Sequence, residues 1–354
     1  MNATSLAAAI DGQAEHISAS ITEQQFSADP TLEERFGARG RQKCTEDSRR
    51  HLAYLSSAAA LESDALFADY IGWAKILLAR LGLTDDDLAK NLVLLRNAVR
   101  TALGEELGDA AARVVDSGLR RLPELPSESK PWLTGDEPHA DLARRYLELL
   151  LAGDRQGASA LILEAVQKGV SVRDIYLYVF QRTQYEIGRR WQMNEVTVAE
   201  EHFCTAATQL IMSQLYPRIF ATPRIGKRLV AACIGGDLHE IGVRMVADFF
   251  EMAGWDTYYL GANTPLDGIV RTVVERRADV LALSATMTYH VPAVAEVIRG
   301  IRQSMGKSTR ILVGGYPFRV EPTLWRRVGA DGSAADASEA VDCATELVSA
   351  DARS

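Results

Sequence analysis

From Leu229 onward the chain repeats one pattern, a short apolar run followed by a stretch of helical character. The runs are LVAACI, DTYYL, DVLALS and RILVGG, several of them β-branched. The stretches between them are roughly 10 to 15 residues long, and strands alternating with helices of that length predict a parallel sheet with helices on both faces. Ligands of such sheets lie beyond the carboxyl ends of the strands. The segment GGDLHEIGVRMVADFFEMAGW, Gly235 to Trp255, begins just past the first run. Asp237, His239 and Gly242 therefore fall on the loop where a ligand is expected, and neither helix nor strand formation requires them there.

Upstream the texture is helical. Residues 1–45 are polar and weakly patterned, and read as a loose lead-in. Residues 46–125 read as a helical domain of unknown role. Leu66, Tyr70, Trp73 and Leu77 keep helical spacing there, as do Leu88, Leu92, Leu95 and Val99, and Thr84 before three aspartates reads as an N-cap. Residues 126–140 are rich in proline and polar residues and read as a linker. Residues 141–225 form a second helical block, in which Tyr176, Phe180, Thr183, Ile187 and Trp191 share one face. Residues 226–354 make the sheet domain. The N-terminal helices carry none of the site residues and are expected to be separable from them.

Charge narrows the function. A formal net charge of −8 lacks the basic footprint of a nucleic-acid binder. No apolar run approaches a membrane span, and the N-terminus lacks the basic and apolar regions of a signal peptide. Cys44, Cys204, Cys233 and Cys343 are scattered without a C-x-x-C, which fits a reduced, cytoplasmic setting and speaks against zinc or a disulfide frame.

A loop histidine with an aspartate two residues before it is most often a solvated pair. The same pair can also serve a metal: the imidazole ligates, and the carboxylate fixes its tautomer from the other ring nitrogen. The rest of the domain favours the second reading. Ser284 ends the third run, Thr286 follows, and Gly314 and Gly315 end the fourth. Gly329 to Asp331 precede the last helix. Small residues at adjacent strand ends leave a slot for a long ligand tail.

Asp237, His239 and Gly242, then Ser284, then Gly314–Gly315 resemble, in order and context, the cobalamin-binding domain family. The resemblance covers roughly residues 226–350 and implies a Rossmann-like, five-stranded parallel sheet preceded by a four-helix-bundle cap. It implies that His239 is the lower ligand of the cobalt, with Asp237 behind it and Glu240, Ile241 and Gly242 completing the loop. Ser284, Thr286, Gly314 and Gly315 would line the slot for the nucleotide tail. The family usually has Ser-x-Leu at the third strand, where this chain has Ser284-Ala285-Thr286.

In the cap, RRWQMNEVTVAEEHFCTAA places Glu201-His202 nine residues after Trp191. This W-x9-E-H resembles the light-sensing cobalamin photoreceptors of the CarH type. The likeness implies that Trp191, Glu201 and His202 line the upper face and hold an adenosyl group, so that adenosylcobalamin or another cobalamin is the expected cofactor. Two departures stand out. The helix-turn-helix domain of that type is missing from this sequence, and Gln192 stands where its second histidine would be. The photocobilin branch holds a bilin beside the cobalamin, which extends the expectation to a noncovalent biliverdin near Arg182, Arg189, Arg190, Tyr258, Tyr259, Tyr289 and His290.

The reading is therefore a non-enzymatic, cobalamin-dependent photoreceptor, dimeric or coupled to a downstream signalling protein. Two alternatives remain: a corrinoid methyl-shuttle protein serving a methyltransferase, and an adaptor that senses cobalamin without light.

Overall fold

The computed structural model describes residues 3–351 and divides the chain into two units. Residues 1–2 and 352–354, inside the first and last of the segments expected above, lie outside the described residues.

The first unit is built on four helices, α1 (Ala3–Ala28), α2 (Thr31–Ala60), α3 (Asp64–Arg80) and α4 (Asp85–Arg121). Residues 3–45 are thus not a loose lead-in. Leu6, Ile10, Ile17 and Ile21 form a thin stripe on α1, diluted in the sequence by alanine and serine, and all four are buried. Thr84 caps α4 as expected: its hydroxyl accepts from the Asp87 amide while the Asp87 carboxylate accepts from the Thr84 amide. Tyr54 and Tyr70 stack with ring centroids 3.7 Å apart, and the Tyr70 hydroxyl meets His51 Nδ1 at 2.7 Å. Burial pushes His51 down to about 4, so it stays neutral. Two short segments from the sheet half of the sequence, residues 287–292 and 320–324, also belong to this unit. Tyr289 sits edge-on to Tyr54 with centroids 5.3 Å apart, and Glu321 accepts a hydrogen bond from Ser63.

The second unit holds the helical cap and the sheet. The cap comprises α5 (Ala140–Leu151), α6 (Arg155–Gln167), α7 (Val172–Asp174), α8 (Gln181–Gln192), α9 (Val198–Gln214) and α10 (Tyr216–Ile219), with a π-helical stretch, Ile175–Phe180, leading into α8. The stripe read from sequence turns inward: Tyr176, Phe180, Thr183 and Ile187 are buried and Trp191 is half-buried. A capping box between Thr197 and Glu200 starts α9. The expected linker has no helix, but it is anchored. The Trp132 amide donates to Glu186, which is buried and also paired with Arg189 and Arg190.

The sheet strands are β1 (Arg228–Cys233), β2 (Asp256–Tyr259), β3 (Val280–Ser284), β4 (Arg310–Gly314) and β5 (Gly332–Ser333), all parallel, in the order β2-β1-β3-β4-β5. Helices α11 (Ile241–Met252), α12 (Leu266–Arg276), α13 (Val291–Met305), α14 (Tyr316–Val320), α15 (Leu324–Arg327) and α16 (Ala337–Asp351) intervene or follow. Leu229 to Cys233 are buried without alternation, as a strand covered on both faces requires. Strand order reverses about β1, so the crevice between the loops after β1 and β3 is the topological switch point.

Cap and sheet share one core through α11. Asp248, buried on α11, accepts from the Tyr176 hydroxyl at 2.7 Å. Burial lifts Asp248 to about 6 from 3.8, against the pull of Tyr176, Arg244 and Tyr216. The folded state therefore keeps a proton that the unfolded chain releases at lower pH. Stability should fall as pH rises from about 4 to about 6 and then level off. Asp248→Asn should remove that slope, and urea unfolding followed at several pH values across the range measures it.

Candidate functional site

The loop after β1 is built around one carboxylate. Asp237 is fully buried. Its Oδ1 accepts from the His239 amide at 3.0 Å and contacts His239 Nδ1 at 2.7 Å. Its Oδ2 accepts from the Thr286 amide at 2.5 Å. One side chain after β1 thus grips the loop after β3, across the switch point. The loop is closed from the β2 side as well. Asn263 donates its amide to the Asp237 carbonyl at 2.9 Å, and its side-chain oxygen accepts from the Gly236 amide at 2.7 Å.

His239 is held at Nδ1, so Nε2 is the nitrogen available to a ligand. The side chain keeps 57% of its surface exposed while its carboxylate partner has none. The hydrogen bond His239 donates to Asp237 raises the imidazole above its ordinary value; burial opposes this, and the charges of Asp237 and Glu201 add to the rise. A carboxylate that polarises one imidazole nitrogen makes the other a better donor to a metal. Among the described residues no group of three or more His, Cys, Asp or Glu is placed to hold a metal ion. A lone, oriented imidazole fits a metal that arrives already held in a ring.

Glu240 locks the loop to its surroundings. Its Oε1 accepts from Gln209 on α9 at 2.9 Å, and its Oε2 accepts from the Tyr259 hydroxyl at 2.9 Å and the Ala262 amide at 3.0 Å. Burial would raise this carboxyl, but the hydrogen bonds outweigh it and hold Glu240 below the ordinary range. Ile241 begins α11, half-buried, and a Cβ on Gly242 would meet nothing within 4 Å. The space beside that backbone is open to a bulky group.

Ser284 pairs in register with Cys233 on one side and Gly314 on the other, so the strand ends align. Ser284, Thr286, Gly314 and Gly315 are each half-buried and Ala285 is buried, which leaves a floor of small side chains. Gly329 to Asp331 do not share it. They precede β5 at the opposite end of the sheet, where Asp331 accepts from Arg302 and from the Ile311 amide, both at 2.7 Å.

The upper-face trio is spread over α8, which carries Trp191, and α9, which carries Glu201 and His202. Glu201 lies on the side of α9 that carries Thr205 and Gln209, and it contributes to the rise at His239. His202 is 74% exposed, with Nε2 3.5 Å from Glu201. Gln192 is buried. The residues that suggested a bilin already have partners. Arg189 and Arg190 pair with Glu186, Arg182 donates to the Trp132 carbonyl, and Tyr259 donates to Glu240. Tyr289 and His290 belong to the first unit. Gln209 and Asn263 were missed by sequence reasoning. Asn263 had a signal, since Asn-Thr-Pro after a strand marks a turn, and its φ of 48° is left-handed.

Asp237→Ala should lower cobalamin affinity by about 10- to 100-fold, because loss of a ligand's supporting partner typically has that effect. Titration of the apoprotein with hydroxocobalamin, followed by absorbance, measures it.

No helix among the described residues is long and apolar enough to cross a membrane. Two B12 binding domain families match the chain, one over residues 227–342 and a second over residues 142–216. They coincide with the sheet domain and the cap. Dimethylamine corrinoid protein 1 of Methanosarcina acetivorans is 31% identical over 170 residues, covering 44% of this chain and 78% of that protein. Dimethylamine corrinoid protein 3 of Methanosarcina mazei is 28% identical over 170 residues, covering 46% of this chain and 98% of that protein. The monomethylamine corrinoid protein of Methanosarcina barkeri has the same fold, with a TM-score of 0.54 and 21% identity over 59% of this chain and 100% of its own. These relatives are methylamine corrinoid proteins and not light sensors, so the narrower likeness drawn from W-x9-E-H is not what they support. Matched in both cap and sheet domain, and to a relative over most of that relative's length, the chain belongs to the B12-binding domain family and is a cobalamin-binding protein.

Proposed function

We propose that the protein is a corrinoid carrier: it holds cobalamin between cap and sheet and presents the upper face to a partner methyltransferase. The carrying observation is the His239–Asp237 pair anchored to Thr286 at the switch point, in a chain whose relatives are corrinoid proteins of methylamine metabolism. Cobalamin, when bound, supplies a cobalt centre whose upper position accepts and gives up a methyl group. The chain's own part is binding and orientation. His239 Nε2 would ligate the cobalt, Asp237 would fix its tautomer, and Glu240 holds the loop against α9. Ser284, Thr286, Gly314 and Gly315 line the tail slot. The protein catalyses nothing by itself in this reading.

A second reading, light sensing, rests on the W-x9-E-H spacing that sets Trp191 on α8 and Glu201 and His202 on α9. It assigns the unmatched N-terminal unit to output. The two readings separate in one experiment. The full chain is loaded with methylcobalamin or adenosylcobalamin and followed by absorbance, first under illumination with and without biliverdin, then in the dark with a thiol acceptor and a methyltransferase that moves methyl from corrinoid to thiol. Methyl loss to the acceptor in the dark supports the carrier. A change in hydrodynamic size on illumination, abolished by Trp191→Ala with cobalamin retained, supports the sensor and removes the carrier as the main role.

A further inference from the structure

Helix α9 has three faces, and only two have an assigned use. Cys204, Ala207, Thr208 and Ile211 fill the cap core. Glu201, Thr205 and Gln209 look toward the His239 loop and Gln184. The third face carries Ala199, Phe203, Ala206 and Leu210, all exposed. Their spacing of four, three and four residues is the seam spacing of paired helices. Phe203 and Leu210 keep 36% and 46% of their surface exposed, and Val198 at the helix start keeps 51%.

We propose that this face is a self-association surface, on which α9 packs antiparallel against α9 of a second copy about a twofold axis between Cys204 and Thr205. The argument is self-complementarity in size and charge. Antiparallel pairing about that point sets Phe203 opposite the second copy's Ala206, and Leu210 opposite its Ala199. Each large side chain meets a small one, and the relation is reciprocal, as an isologous interface requires. Beside Leu210 lies a cleft of about 390 Å³ between α6 and α9, lined by Arg155, Ser159, Leu163, Leu210 and Gln214 among others. The start of the second copy's α9 falls at that end with its Glu200 flank toward the cleft, bringing the Glu200 carboxylate to Arg155; Val198, on the other side of the helix, takes no part. The twofold keeps the α6 flank and the Glu200 flank on the same side, so both charge contacts form together. This surface does not depend on whether the protein is a methyl carrier or a light sensor. It does place each dimer contact one helix thickness from a His239 loop, so that a shift of α9 at the site is felt at the interface.

Sedimentation velocity of the full cobalamin-loaded chain, from roughly 1 to 100 µM, is expected to find a dimer. Phe203→Asp and Leu210→Asp should each weaken it at least about tenfold, as charges at the centre of a small apolar seam do. Far-UV circular dichroism and cobalamin uptake should not change. Phe203→Ala should weaken the dimer, and Phe203→Ala with Ala206→Phe should restore it, because the swap keeps each large residue opposite a small one. Arg155→Glu should weaken it, and added salt should weaken the wild type but not this variant. A monomer across the whole range overturns the proposal, even if the face captures another protein. So does a dimer indifferent to both aspartate substitutions, or a size swap that fails to restore association in a folded, cobalamin-loaded protein.

Discussion

His239→Ala is expected to leave the fold intact and lower cobalamin affinity by about 100-fold or more, beyond the roughly 10- to 100-fold typical of losing a ligand's supporting partner. The imidazole makes no packing contact that the core needs, since over half of its surface is exposed. Asp237 would still be held by the Thr286 amide and by the amide of residue 239. Any cobalamin retained should show the spectrum of the form coordinated by its own base. Electron paramagnetic resonance of the divalent cobalt form gives a second readout. Labelling the protein's histidine with the spin-half nitrogen isotope should turn the triplet superhyperfine pattern into a doublet in wild type. An unchanged triplet in labelled wild type, or unchanged affinity in His239→Ala, would remove His239 from the cobalt.

Gly315→Val should have the largest effect on stability. Gly315 has φ of +105°, a region that side-chain-bearing residues rarely adopt, and a Cβ there would fall 2.1 Å from the Ala285 carbonyl oxygen. The strain alone amounts to about 1–3 kcal/mol. The overlap with backbone has no flexible side chain to absorb it, so the ends of β3 and β4 must separate. A loss of about 3 kcal/mol or more is expected, measured by urea unfolding of the full chain. Gly314→Ala is the control. Its Cβ would lie 3.4 Å from the Ala334 carbonyl oxygen, an ordinary contact, so folding should survive while the floor of the slot narrows. If Gly315→Val unfolds at the same urea concentration as wild type, the close approach of β4 to Ala285 is not a constraint on this fold.

Much of this was written in local pattern. Each run from LVAACI to RILVGG became a strand; β1, β3 and β4 are apolar because both of their faces are buried, while β2, at the sheet edge, is half-buried and was marked by its β-branched and aromatic residues. The Tyr176 to Ile187 stripe was legible too, as was the Thr84 cap. What escaped depends on residues far apart in sequence. Trp132 sits in a stretch that looks like a linker, and its anchoring to Glu186 cannot be inferred from either neighbourhood. Arg189 and Arg190 looked available for an anionic pigment until the same glutamate accounted for both. The Asp237–Thr286 bond spans 49 residues and ties the site together. The sequence offered Asp237 and the small residues after β3, but not the grip between them.

The first unit's inclusion of residues 287–292 and 320–324 has a consequence for how the protein is made. Its helices are translated first, but Tyr289, packed edge-on to Tyr54, is made only after most of the second unit. The Ser63–Glu321 bond closes a loop of 258 residues. Contacts of such separation form late, because the chain entropy lost in closing the loop must be overcome before the contact contributes. The four helices therefore emerge from the ribosome as an unfinished unit, with part of their apolar surface waiting for one segment that follows β3 in the chain and another that follows β4.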